Sequence, residues 1–235
     1  MIKESFYKRL QNQAKSELAA KADKYRVVVQ LGHCSTSLGA KEVVESFDKY
    51  LTSDSYLVVA GCDGACFNGP TVSVRSPDGN IVSLDNMDAS IAVRIATLIE
   101  GNMSPLKFKD DKNVFIDGQT RLVLQTCGEI DAVNLSEYIE TKGYYGLFKA
   151  VSLSPDKVID RVKNSGLRGR GGAYFPTALK WKGARKAKGV NKYIIVNSEE
   201  GEPGVFKDRH LMEGVPHKII EGALIAAYAV GANNI

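Results

Sequence analysis

The sequence predicts an α/β fold in two successive units, and three observations carry that expectation. Short apolar runs at Tyr25–Gln30 and Tyr56–Ala60 alternate with segments whose apolar residues recur at helical spacing. The stretch 101–117 then loses periodicity and gathers Pro, Asn, Lys and Asp, which reads as a linker. Beyond it a glycine-rich loop, Gly166–Gly172, precedes a further apolar run at Tyr193–Asn197.

The first unit covers residues 1–100. Residues 4–22 read as a polar amphipathic helix leading into the strand Tyr25–Gln30. Val43, Val44, Phe47 and Leu51 fall at helical spacing, and Tyr56–Ala60 reads as a buried strand ending on Gly61. Thr71–Arg75 and Asn80–Leu84 flank Ser-Pro-Asp-Gly, whose Pro and Gly suit a hairpin turn. A helix follows over Asp88–Glu100, with Asp88 as its N-cap. Together these close a unit of about 100 residues, a common domain size.

The second unit, 118–235, begins with an expected strand at Arg121–Gln125. Helices are expected at Leu135–Thr141, Tyr144–Val151 and Pro155–Lys163, then a strand at Tyr193–Asn197 and a last helix at Pro216–Val230. The sequence ends on Ile235 directly after that helix, where an α/β domain would send in another strand. This unit therefore reads as incomplete.

Composition narrows the function classes. Hydrophobic residues make up 44% and charged residues 25%, with 31 basic against 27 acidic residues and a formal charge of +4. The lysines are scattered, apart from a denser stretch at Lys180, Lys182, Arg185, Lys186 and Lys188, so nothing argues for nucleic-acid binding. The N-terminus lacks the apolar segment of a secretory signal, and the longest apolar stretch, Ile219–Ala229, contains Glu221 and is too short for a bilayer. The expectation is a cytoplasmic protein without direct membrane insertion. In that compartment Cys34, Cys62, Cys66 and Cys127 point to metal or redox chemistry ahead of structural disulfides.

Two loops carry the chemistry. In SGLRGRGGAYFPTALKW (165–181), Gly166, Gly169, Gly171 and Gly172 lie within seven residues. So many glycines suit a backbone that approaches a ligand closely, and the N–H groups such a loop exposes ahead of a helix make an anion site. Lys180 with Arg168 or Arg170 could add charge-assisted bonds to a phosphate. The competing reading is a surface loop with tight turns, and its spacing is not the βαβ dinucleotide fingerprint, since no strand precedes it. After the run YIIVN comes NSEEGEPGVFKDR, with Glu199, Glu200 and Glu202 at the carboxyl end of an apolar run, where α/β folds place ligands. Ionised carboxylates only accept hydrogen bonds, so they suit hydroxyl and ring N–H groups of a cofactor; a solvated acidic turn is the alternative.

In this order and at this distance, GLRGRGGAYFPTALKW, IIVNSEEGEPGVFKDRHLME and VPHKIIEGALIAAYAVGA resemble the NADH-oxidising flavoprotein subunit of complex I and of soluble hydrogenases and formate dehydrogenases. The resemblance runs from Cys127 onward and implies the N-terminal part of a Rossmann-like FMN/NADH-binding domain. In that family FMN takes a hydride from NADH and passes electrons singly to iron–sulfur clusters. The resemblance implies that Gly169, Arg170, Gly171 and Lys180 hold the FMN phosphate side, with Gly172 and Gly201 also cofactor-binding. It places Asn197, Glu199 and Glu200 at the isoalloxazine and ribityl groups, Phe175 against the adenine of NADH, and Glu202 toward the nicotinamide nucleotide. Tyr174 stands where the family has glycine, Glu199 replaces an aspartate, and Gly183 replaces an aromatic.

GCDGACFNGP (61–70), with Cys34 upstream, is similar to the thioredoxin-like 2Fe-2S ferredoxin domain often joined to that flavoprotein. The resemblance makes Cys34, Cys62 and Cys66 metal ligands. A two-iron cluster held by thiolates wants four, and the position of the missing first cysteine is Val29. His33 as a substitute is awkward beside Cys34, and zinc lacks a fourth ligand equally. A retained fold with a lost cluster is the other reading. Cys127 matches a buried, inert cysteine of the flavoprotein. His210 and His217 receive no role.

The implied function is an electron-input module. It would accept hydride from NAD(P)H onto FMN, with NAD(H), FMN and a possible 2Fe-2S cluster as cofactors, and pass electrons to iron–sulfur subunits of a larger complex. A degenerate, non-catalytic scaffold or assembly subunit is the competing reading. The chain would be a fragment or half of a split subunit.

Overall fold

The structure, a computed structural model, describes residues 4–101 and 118–235. The linker expected over 101–117 lies, from residue 102 on, outside the described residues. The chain divides into two compact units, one holding residues 13–141 and 200–216, the other the N-terminal residues, 142–199 and 217–235. Helix α1 (Glu4–Ala19) contributes to both.

The first unit is a mixed α/β layer. Strands β1 (Tyr25–Gln30), β2 (Ser55–Ala60), β3 (Val72–Arg75) and β4 (Ile81–Leu84) form one sheet in the order β2-β1-β3-β4. β1 runs parallel to β2, with Val28 opposite Val58, and antiparallel to β3. The parallel pair requires a crossover, which α2 (His33–Ser37) and α3 (Ala40–Tyr50) supply. The β3–β4 pair is the predicted hairpin, Val74 facing Val82.

Strand alternation splits the apolar side chains between two faces. Val27, Val29, Val72 and Val74 meet Val43 and Phe47 of α3 and Ile95 and Ile99 of α4 (Ala89–Glu100). Val28, Val58 and Ala60 form a smaller cluster of their own. Phe47 is fully buried, which stabilises by about 2–3 kcal/mol relative to exposure. Asp88 caps α4, its side chain accepting from the Ile91 amide at 2.8 Å. In the same unit α5 (Leu135–Glu140) is tied to β1 by the Arg26 Nη2–Glu137 Oε2 pair at 2.7 Å, which is largely buried.

The second unit is helical: α6 (Tyr145–Val151), α7 (Pro155–Asn164), α8 (Thr177–Lys186) and α10 (Pro216–Val230). Helix α9 (Lys207–Gly214) lies between the last two in sequence and belongs to the sheet-containing unit. The helical core is Ala150, Val158, Ile159, Ala178 and Ala229, with Trp181 and Ile225 packed on it. Tyr7 stacks on Phe148 at 5.5 Å and donates to the Gly143 carbonyl at 2.8 Å.

Two expected strands do not form. Residues 121–125 run through bends and turns, with Leu122 77% exposed. Residues 193–197 make a single bridge, Tyr193 to Asn234, and Ile195 is 85% exposed. An apolar β-branched run sets a propensity; a strand also needs a continuous ladder, and the 193–197 run has a single bridge, with the Ile194 amide donating to the Asn234 carbonyl at 2.9 Å. Helices α8 and α9, which periodicity does not single out, do form. No helix among the described residues is long and apolar enough to cross a membrane.

Candidate functional site

The glycine-rich loop folds back on itself. The Thr177 amide donates to the Leu167 carbonyl at 3.0 Å and the Gly169 amide to the Phe175 carbonyl at 2.9 Å. The tip between them, Arg170–Tyr174, is exposed. A β-carbon built on Gly171 or Gly172 would meet nothing within 4 Å, and Gly172 has φ +102°, a left-handed conformation suited to glycine. The backbone at the tip is therefore open to a guest.

Helix α8 begins immediately after the loop, its first amide, that of Thr177, being the one that closes the loop's base. Buried Ala178 and partly buried Trp181 anchor α8 in the helical core, and Arg185 Nε pairs with Asp156 Oδ1 at 2.9 Å. That anchoring leaves Lys180 exposed on the helix's first turn. Neither Lys180 nor Arg170 has an ion-pair partner among the described residues. Open glycine backbone, a helix start and unneutralised cations fit a phosphate group.

Tyr174 has φ +51°, a conformation uncommon for any residue but glycine. Arg168 holds it: the guanidinium lies 5.0 Å from the ring centroid, and Nη1 donates to the Tyr174 carbonyl at 3.3 Å. Both Tyr174 and Phe175 present exposed rings. Asn197 and Glu199 belong to the same unit as the loop, and Asn197 Oδ1 accepts from the Glu199 amide at 3.0 Å. Glu199 itself is exposed.

Glu200, Gly201 and Glu202 belong to the sheet-containing unit. The Glu200 carboxylate takes the amides of Asp208 at 2.5 Å and Arg209 at 3.3 Å, capping α9, and Arg209 Nε lies 3.9 Å away. An acidic loop alone does not reveal this capping role. Glu202 is exposed and its carbonyl receives the Val205 amide at 3.2 Å.

The cysteines gather at the ends of β1 and β2. Cys62 and Cys66 have their sulfurs 3.8 Å apart, and Cys34 lies on α2. Burial pushes all three thiols above the ordinary range; for Cys62 the Gly64 amide, donating to its sulfur at 3.3 Å, works against that. Val29, at the position of the missing fourth thiol, is fully buried in the core. The donor set thus falls one thiolate short of a two-iron cluster. No group of three His, Cys, Asp or Glu side chains among the described residues is placed to hold a single metal ion. Cys127 is buried, as expected. His33 lies 5.7 Å from the Phe206 ring and His217 Nδ1 is 3.0 Å from Tyr144 Oη.

An open glycine loop leading into a helix, with exposed cations beside it, offers what an anionic group needs. Residues 162–235 match the family model of the Nuo51 FMN-binding domain. The chain is 46% identical over 114 residues to a subunit, HndC, of the NADP-reducing hydrogenase of Solidesulfovibrio fructosivorans, covering 48% of this chain and 23% of that protein. It is 43% identical over 120 residues to a subunit of the NADH-quinone oxidoreductase of Aquifex aeolicus, covering 51% and 28%. The chain therefore spans about a quarter of the length of these curated relatives. An NAD+-reducing nickel–iron hydrogenase structure aligns over 97% of this chain and 42% of that one, with a TM-score of 0.38 and 24% identity, a likeness too loose to add to the sequence match.

Proposed function

We propose that this chain is part of an electron-input flavoprotein that accepts hydride from NAD(P)H onto FMN and delivers electrons to iron–sulfur subunits of a cytoplasmic oxidoreductase complex. The observation that carries the reading is the match of residues 162–235 to an FMN-binding domain with its phosphate loop open and cationic. When bound, FMN supplies the conversion of a two-electron hydride into single electrons. The protein's part is to hold and orient it.

The amides of Gly171 and Gly172 with the Arg170 and Lys180 side chains would take the phosphate, while Gly169, bonded to the Phe175 carbonyl, holds the loop in shape beside it. Asn197, Glu199, Glu200 and Gly201 would line the ring and ribityl side, with Glu200 already committed to α9. Phe175 offers a stacking face for an adenine, and Glu202 an acceptor for a nucleotide hydroxyl. We read residues 1–100 as a thioredoxin-like ferredoxin-type domain, supported by a parallel β1–β2 pair beside an antiparallel hairpin and by cysteines at the strand ends. Residues 118–235 are read as the N-terminal part of a Rossmann-like flavin domain.

The test is reconstitution with FMN. Bound flavin with a quenched emission and a band near ~450 nm is the expected result. A folded chain that remains colourless at saturating FMN would overturn the reading. The missing fourth thiol favours a second one, a non-catalytic scaffold in the same kind of complex, which predicts that colourless outcome.

A further inference from the structure

The thiol trio does not fit the cluster its motif suggests, yet it remains a built arrangement. Cys62 follows β2 closely, and Cys66 opens the short helical turn Cys66–Asn68. The loop between them is pinned: Gln30 Nε2 donates to Asp63 Oδ2 at 3.0 Å, the Asp63 amide to Gln30 Oε1 at 3.1 Å, and the Ala65 amide to Asp63 Oδ1 at 2.8 Å. Those bonds hold two sulfurs 3.8 Å apart.

We propose that Cys62 and Cys66 form a reversible disulfide, so that this loop is a dithiol redox site responsive to low-molecular-weight disulfides. The two sulfurs need to close from 3.8 Å to a bonding distance of about 2.05 Å. Cys66 is half-exposed and Cys62 is buried, which sets the order of events.

The Cys66 thiolate attacks one sulfur of an external disulfide, forming a mixed disulfide and releasing one thiolate. The Cys62 sulfur, which receives the Gly64 N–H, then attacks the Cys66 sulfur and releases the second. Two protein thiols are oxidised, one external disulfide is reduced to two thiols, and the two protons leave with them or to solvent. Cys34, on α2, is a bystander and not a bonding partner in this scheme. The inference is independent of flavin binding.

Tryptic mapping of the full chain after treatment with oxidised glutathione decides it. Cys62 and Cys66 share the peptide 50–75, whereas Cys34 lies in 27–41. The expected product is peptide 50–75 lighter by two hydrogens, returned to its original mass by dithiothreitol. Cys62→Ser should leave glutathione trapped on Cys66, and Cys34→Ser should leave the internal bond unchanged. The proposal is overturned by a cross-link joining 27–41 to 50–75, by no bond in a folded chain, or by iron and sulfide bound stoichiometrically to the purified protein through these thiols.

Discussion

Gly61 and Gly214 meet backbone against backbone: a β-carbon on Gly61 would stand 2.2 Å from the Cα of Gly214. The contact joins the end of β2 to the last turn of α9, and Cys127 closes it from the other side, its sulfur 2.7 Å from where a Gly214 β-carbon would be. No flexible side chain can yield between the two backbones. Gly61→Ala should therefore destabilise the sheet-containing unit by about 1–3 kcal/mol, as overpacking does. Urea unfolding of the purified variant measures it, and an unchanged midpoint would refute the contact.

Glu221 of α10 caps α6, its two oxygens taking the Tyr144 amide at 2.9 Å and the Leu147 amide at 3.0 Å. Amides bound to a charged acceptor are worth more than neutral pairs. Glu221→Gln, which keeps the shape and loses the charge, should cost about 1–2 kcal/mol. Glu221→Ala should cost more, and a Glu221→Gln variant as stable as the parent would argue against a charge-dependent cap.

The neighbouring carboxylates of the acidic loop should separate in their effects. Glu200 caps α9 through two amides, while Glu199 is exposed. Glu200→Ala should lower stability by about 1–2 kcal/mol, in the range of a lost cap. Glu199→Ala should stay within about 0.5 kcal/mol, as exposed changes do. Thermal unfolding of the two variants side by side is the measurement.

Arg170 and Lys180 should matter for ligand and not for folding. Both are exposed, with no ion-pair partner among the described residues. Arg170→Ala or Lys180→Ala should each weaken FMN binding about tenfold or more, the loss of a charge-assisted bond, at unchanged stability. Fluorescence titration with FMN and with riboflavin checks this: riboflavin, lacking the phosphate, should bind the variants and the parent alike.

Asp88 gives the fold an acid-sensitive cap. The Ile91 amide, with Ser90 Oγ, holds its carboxyl below the usual carboxylate range. A depressed folded-state value means the cap's contribution is present above the unfolded-state pKa and is lost as pH falls through the folded one. Asp88→Asn retains an acceptor without the titration. Stability measured from neutral pH down to about pH 2 should thus fall less steeply in the variant than in the parent chain.

The hairpin, the Asp88 cap and the helices at Leu135, Tyr145, Pro155 and Pro216 are legible in the sequence because each is specified within a few residues: a Pro-Asp-Gly turn, a capping side chain, a 3.6-residue period. The open glycine-rich loop is legible for the same reason, as four glycines ahead of a helix start specify its backbone locally. The strand expected at 193–197 shows the limit of that reasoning. Its apolar, β-branched character is plain, but a strand is a relation between two segments, and Tyr193 finds only Asn234.

The sequence by itself declares the composition of the parts: a glycine-rich loop flanked by cations, an acidic turn, three cysteines where a cluster set has four, and an α/β pattern. How those parts are used is a matter of folding. Tertiary contacts pair Arg26 with Glu137, seat Glu221 on the amides of Tyr144 and Leu147, and press Gly61 against Gly214. The reason is that donors, charges and turns are properties of neighbouring residues. Which carboxylate meets which amide, and which two glycines must touch, depends on contacts between residues far apart in the chain, which no local pattern encodes.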